Sequence, residues 1–203
     1  MMNSKKIADN IIYYTGLIKD TDSFIKKIED LDSKSLEGSP ISKWKDWKSS
    51  NSDNIYGSVK ESCFSTLNTR NIYDSEEILI SKQIKAIVES CAKDYKEATG
   101  INPDFLPDYY TINKYLPDVY MGPHVDYEGE GRTTLIPSVS MVFYLNDNYE
   151  GGVIEFPEQG VSIKPEAGSL IVFPSNKPYY HDPKPVISGT KYMIPLFWFN
   201  NKV

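Results

Sequence analysis

Two kinds of hydrophobic pattern divide the chain. In the segment opened by Asp20–Ser23, Phe24, Ile25, Ile28 and Leu31 fall at helical spacing, and after Asp74 a longer stripe runs through Ile80, Ile84, Ile87, Val88, Cys91 and Tyr95. Spacings of three and four residues predict two helices that each bury one face. Asp20 to Ser23 offers N-caps to the first helix. Asp74, with Glu77 three residues on, opens the second, and Gly100 stops it. From Tyr109 the period changes. Tyr109–Leu116, Ser138–Leu145, Gly152–Phe156, Ser162–Lys164, Ser169–Phe173 and Lys191–Phe199 are short runs bounded by Pro, Gly, Asn and Asp, with nothing helical between them. The first hundred residues thus read as helices and loops, and the second hundred as strands of a double-sheet jelly roll or a barrel. Both layers are expected to form one domain over residues 1–203. The polar stretch Asp32–Glu61 reads as surface loops. Trp44 and Trp47, one helical turn apart within it, read as a local packing cluster, with a substrate-facing lid as the alternative.

Composition adds exclusions. A chain of 203 residues with 40% apolar and 25% charged residues is an ordinary globular sequence, long enough to bury about two thirds of its extended surface without a structural metal or disulfides. With 22 basic against 28 acidic residues the net charge is −6, so the electrostatic footprint of a nucleic-acid partner is missing. The apolar stretch near the N-terminus is broken by Asp9, Asn10 and Thr15 and reads as mature sequence. No run approaches the ~18 apolar residues of a membrane span. Cys63 and Cys91 are expected to stay reduced, in a cytoplasmic protein, with Cys91 as a small core residue.

The candidate chemistry rests on few residues. The chain holds two histidines, His124 and His181. In Gly122-Pro-His124-Val-Asp126-Tyr127 an extended backbone points His124 and Asp126 to one face, and His181 follows 57 residues later with chain enough to fold back over them. Two imidazoles and one carboxylate on one side of a metal form the facial triad of non-heme Fe(II) oxygenases. Lys191 stands ten residues beyond His181 and opens the last strand, and an ammonium directed into a barrel needs an anionic partner.

With these residues the chain resembles the 2-oxoglutarate and Fe(II)-dependent dioxygenases, in their prolyl 4-hydroxylase-like branch. The likeness continues through Tyr144-Leu-Asn-Asp147, Glu150-Gly-Gly152, Ile154-Glu-Phe156, Ile163-Lys-Pro165, Gly168–Phe173 and Gly189-Thr-Lys191, and covers about Tyr109 to Trp198. It implies a mostly β fold with N-terminal helices: a double-stranded β-helix, or jelly-roll, catalytic core over 108–203, supported by packed α-helices and loops of 1–107. It implies that His124, Asp126 and His181 are the catalytic iron ligands and that Lys191 meets the distal carboxylate of 2-oxoglutarate. Tyr115 and Tyr144 match further co-substrate contacts, packing in the barrel being the alternative for each. The cofactors implied are Fe(II), 2-oxoglutarate and O2, with ascorbate as reductant, and the products are succinate, CO2 and a hydroxylated substrate. Asp126 favours hydroxylation, because halogenating relatives lack that carboxylate.

The expected substrate is a protein or peptide residue, proline first, as in procollagen-type prolyl hydroxylases. Nucleic acid and membrane are not expected partners. The alternatives are a free amino acid or small metabolite, or a silent module that binds metal or 2-oxoglutarate. The intact triad with Lys191 argues against silence. Pro137 stands where relatives acting on prolyl peptides often carry arginine, the nearest arginine being Arg132, and Tyr192 stands where tryptophan is common. The loops 32–61 and 128–137 are expected to read the substrate.

Overall fold

The computed structural model describes residues 2–33, 44–46, 65–68, 75–107, 110–129 and 135–201. Trp47, Cys63, Asp74, Tyr109, Arg132 and the side chains of Leu31, Glu77 and Ile80 lie outside the described set, as does most of the 32–61 loop. In chain order the elements are β1 (Asn3–Ala8), β2 (Ile11–Thr15), α1 (Thr21–Ser33), β3 (Lys45–Asp46), β4 (Ser65–Asn68), α2 (Ser75–Thr99), β5 (Thr111–Tyr115) and β6 (Leu135–Tyr144). There follow β7 (Glu150–Gly151), β8 (Ile154–Phe156), β9 (Val161–Ile163), β10 (Ser169–Pro174), β11 (Asp182–Pro183), β12 (Val186–Ser188) and β13 (Lys191–Asn201).

The strands build a large sheet in the order β1-β2-β10-β6-β13-β5-β4-β3, a small one, β11-β8-β9, and a separate two-stranded antiparallel pair, β12-β7. Every pairing in both sheets is antiparallel. From β6 onward the chain alternates between the sheets: β8 and β9 are small-sheet strands, β10 returns to the large sheet, β11 goes back and β13 closes it. That alternation makes a double-stranded β-helix.

Side-chain alternation then divides the interior. Leu170 and Val172 of β10 face a cluster with Phe24 and Ile28 of α1 and Ile84, Val88, Cys91 and Tyr95 of α2. Ile171 and Phe173, the intervening residues, face Ile154 and Phe156 of the small sheet. The helices therefore back the large sheet, and its other face is left to the site. Asp20 Oδ1 accepts the Ser23 N–H at 3.0 Å at the start of α1. Gly100, at φ +76°, ends α2, in the left-handed conformation that glycine adopts most readily. Trp44 joins the helix-side cluster, its ring 6.3 Å from that of Tyr192.

The hydrophobic pattern predicts only helices and loops before residue 100, and here the structure differs. β1 and β2 form a hairpin on the edge of the large sheet, and β3 and β4 extend its other edge. Asp9 and Asn10, which interrupt the apolar run in sequence, are the hairpin turn, with Asn10 at φ +53°; asparagine tolerates that conformation. Ile11, Ile12 and Tyr14 are all buried because β2 lies between β1 and β10, so its two-sided burial hides the strand period. A 3₁₀ turn at Pro157–Gln159 also interrupts the strand-rich half.

Candidate active site

The cavity between the sheets has a volume of about 600 Å³, and His124, Asp126, His181, Lys191, Tyr115 and Tyr144 all line it. His124 and His181 are brought together by backbone pairing. They form an isolated antiparallel bridge in which each N–H donates to the other's carbonyl at 2.9 Å, so the 57-residue separation closes to 4.3 Å between ring centroids. Asp126 presents Oδ1 3.4 Å from His124 Nε2 and Oδ2 3.9 Å from His181 Nε2. One ligand atom from each of the three residues falls within 4.8 Å of the others.

The other ring nitrogens fix the tautomers. His124 Nδ1 lies 2.6 Å from Gly122 O and His181 Nδ1 3.2 Å from Tyr179 O. A carbonyl only accepts, so in the neutral rings each Nδ1 carries the proton and each Nε2 lone pair faces the cavity, the state a metal requires. Ser140 supports the carboxylate by donating to Asp126 Oδ2 at 2.6 Å, and lies 2.8 Å from Ser175 Oγ. Burial pushes the Asp126 carboxyl up, but the two imidazoles and Ser140 outweigh it and hold the group below its ordinary value. Burial pushes His181 down to about 4. It also pushes His124 down, where Asp126 prevails and leaves that imidazole raised. This donor set fits a divalent transition metal.

At the other end of the cavity β13 begins. Alternation along it sends Lys191, Met193, Pro195 and Phe197 into the cavity, while Ile194, Leu196 and Trp198 pack in the helix-side cluster. Lys191 is buried and its Nζ donates to Gly152 O at 3.0 Å. The rings of Tyr144, Tyr115 and Tyr149 lie 5.1, 5.9 and 5.9 Å from the ammonium. Among the described residues no carboxylate pairs with it. Burial, helped by the Lys164 charge, lowers its pKa to about 7. The Gly151-Gly152 pair makes room here: a Cβ on Gly152 would stand 2.6 Å from the Tyr149 ring and 3.3 Å from Lys191 Cδ.

The pattern of the sequence missed several residues here. Ser140 and Ser175 are ordinary serines until β6 and β10 pair. Asn113, buried on β5, lines the cavity, and its Oδ1 has no hydrogen-bond partner among the described residues. Its place two residues before Tyr115 on an alternating strand was the available signal. Tyr120, Tyr127 and Tyr180, with Glu128, line the same cavity. Pro137 lies in β6, and Arg132 is outside the described residues.

Residues 110–200 match the family model of the 2OG-Fe(II) oxygenase superfamily. A protein of Acanthamoeba polyphaga mimivirus, named as a candidate prolyl 4-hydroxylase, is 29% identical over 156 residues, 66% of this chain and 60% of that protein. A PKHD-type hydroxylase of Crocosphaera subtropica is 32% identical over 97 residues, 45% of this chain and 42% of that one. The chain therefore spans less than two thirds of the length of either relative. A prolyl hydroxylase from Trichoplax adhaerens, solved in complex with a hypoxia inducible factor peptide fragment, superposes with a TM-score of 0.67 at 15% identity, over 95% of this chain and 84% of that one. At that identity the likeness is one of fold.

Proposed function

We propose that this chain is a 2OG-Fe(II) oxygenase of the prolyl 4-hydroxylase-like branch, a reading supported by the family match over residues 110–200 and by the mimivirus relative, and that it hydroxylates a protein or peptide residue, proline first. The observation that carries the reading is the pairing, in one cavity, of a metal-ready His124–Asp126–His181 set with the buried ammonium of Lys191, with which no carboxylate among the described residues pairs. His124, Asp126 and His181 would hold Fe(II), which when bound would let O2 act as the oxidant, one oxygen atom entering succinate as 2-oxoglutarate loses CO2 and the other becoming the hydroxyl of the substrate.

The chain's own residues supply the rest. Lys191 would take the distal carboxylate of 2-oxoglutarate as the counter-charge it lacks, a charge-assisted bond in a low-dielectric pocket. The Tyr115 and Tyr144 rings exclude water from that end, and Tyr144 is pushed far from ionisation by burial. The Nδ1–H donations to Gly122 O and Tyr179 O hold both imidazoles with Nε2 toward the metal. Tyr120, Tyr127 and Tyr180 give the mouth an aromatic surface suited to a peptide. The peptide complex of the Trichoplax adhaerens enzyme supports that reading by analogy of fold. Ascorbate would keep the iron reduced.

The test is succinate release with Fe(II), ascorbate and 2-oxoglutarate, against matched free L-proline and short proline-containing peptides, with mass spectrometry of each. The expected result is one added oxygen on the peptide, at the ring 4-position, and little on the free amino acid. Hydroxylation of free proline alone establishes the metabolite reading instead, and absence of succinate under every condition establishes a binding module.

A further inference from the structure

We infer that Asn146 is a positioning residue that sets the place of Lys191, and so the affinity for the distal carboxylate; the inference rests on the role proposed for Lys191. The β6–β13 ladder ends where Tyr144 pairs with Met193. Beyond it a last backbone bond runs from Leu145 N–H to Tyr192 O at 2.9 Å, and β6 turns away. Lys191 would then have a partner strand only on its other side, where it pairs with Tyr115.

The Asn146 carboxamide takes over the missing edge. Its Nδ2 donates to Thr190 O at 2.7 Å and its Oδ1 accepts the Tyr192 N–H at 2.8 Å, so one planar group bonds the peptides before and after Lys191. The orientation of the amide is forced, because the Tyr192 N–H can meet only an acceptor and Thr190 O only a donor. A further bond from Nδ2 to Asn148 Oδ1, at 2.6 Å, holds the plane. Asn146 is itself buried and does not line the cavity, so it touches no ligand and acts through Lys191. A four-carbon ammonium stem is flexible. The Nζ is aimed by a fixed Cα and by the tyrosine rings around it, and Asn146 fixes the Cα. Asparagine suits the position because aspartate has no donor for Thr190 O and alanine has neither group.

The experiment is anaerobic calorimetric titration of the Fe(II)-loaded protein with 2-oxoglutarate and, separately, with oxalate, which chelates the metal but has no distal carboxylate to reach Lys191. Wild type is compared with N146A, K191A and the double variant. Loss of two backbone-directed bonds predicts that N146A weakens 2-oxoglutarate about tenfold, leaves oxalate unchanged, and adds no further loss in the K191A background. Equal weakening of both ligands, or a full additional loss on top of K191A, overturns the positioning role. So does an N146A protein with wild-type 2-oxoglutarate affinity. If K191A leaves 2-oxoglutarate affinity unchanged, the co-substrate reading of Lys191 fails first and this inference with it. Where N146A does not unfold cooperatively, N146D, which keeps the acceptor for Tyr192 and loses the donor, carries the same comparison with the same expected selectivity for 2-oxoglutarate over oxalate.

Discussion

At the histidine end of the cavity two imidazoles face one carboxylate across 3.4 and 3.9 Å, and the ring Nδ1 atoms and Asp126 Oδ2 have further partners. At the lysine end one buried ammonium has a single carbonyl and a wall of tyrosine rings. The first end is held in place by those outer partners, with its Nε2 lone pairs and carboxylate turned toward one another. The second has no counter-charge among the described residues, and desolvation without one destabilises its charged form. An anion therefore gains at the lysine end what the fold has left unsatisfied, and a cation gains at the other end the two Nε2 lone pairs and the carboxylate that face one another there. The two ends thus call for ligands of opposite charge.

The largest effect that sharpens this contrast is expected from Asp126→Ala. Taking away the one anionic donor of three should lower Fe(II) affinity by about 100-fold or more and abolish turnover, while the metal-free protein still unfolds cooperatively, because the core clusters do not depend on the site. Metal titration and calorimetry of the apo protein check both halves, and an unfolded variant would mean that Asp126 is structural.

Lys191→Ala acts at the other end. Loss of a desolvated charge pair costs about 2–5 kcal/mol, so the Kd for 2-oxoglutarate should rise about 30-fold or more, with Fe(II) affinity unchanged. The reverse pattern, weakened iron and normal 2-oxoglutarate, breaks the comparison. Ser140→Ala, which removes one bond to Asp126 Oδ2, should lower metal affinity about 10-fold and leave 2-oxoglutarate binding to the metal-loaded protein near wild type.

A further effect is a pH dependence at the lysine end. Burial holds Lys191 at about 7 against an ordinary 10.5. Between those values the unfolded chain binds a proton that the folded one does not, so apo stability contributed by this group rises with pH from about 7 to 10.5, and its penalty is full below 7. Thermal melts across that window should show the slope in wild type and lose it in Lys191→Met. A bound carboxylate favours the ammonium, so 2-oxoglutarate binding at pH above 7 should take up a proton, seen as a dependence of the binding enthalpy on buffer.

How much of this was legible in the sequence follows the range of each contact. The stripes of Phe24 and Ile28 and of Ile84, Val88, Cys91 and Tyr95 are local, and helices carry them. The spacing of His124 and Asp126, and Lys191 at the head of a strand, are local as well. The family resemblance agrees with the match over residues 110–200. What was hidden depends on partners far along the chain. The bridge between His124 and His181 is backbone pairing that no spacing encodes. Ser140 and Ser175 gain meaning only when β6 meets β10. The β1–β2 hairpin is masked because β2 is buried on both faces and its turn looks like a break. Asn146 stands inside the Tyr144–Asp147 motif, yet its bonds reach 44 and 46 residues along the chain, to Thr190 and Tyr192.

The most direct test of the two-ended cavity is a crystal structure of the protein with Mn(II) and 2-oxoglutarate. The account predicts a metal held by His124 Nε2, His181 Nε2 and the Asp126 carboxylate, with the distal carboxylate of 2-oxoglutarate on Lys191 Nζ and the Asn146 bonds to Thr190 and Tyr192 unchanged. A metal bound elsewhere, or a 2-oxoglutarate whose distal carboxylate lies away from Lys191, would contradict it.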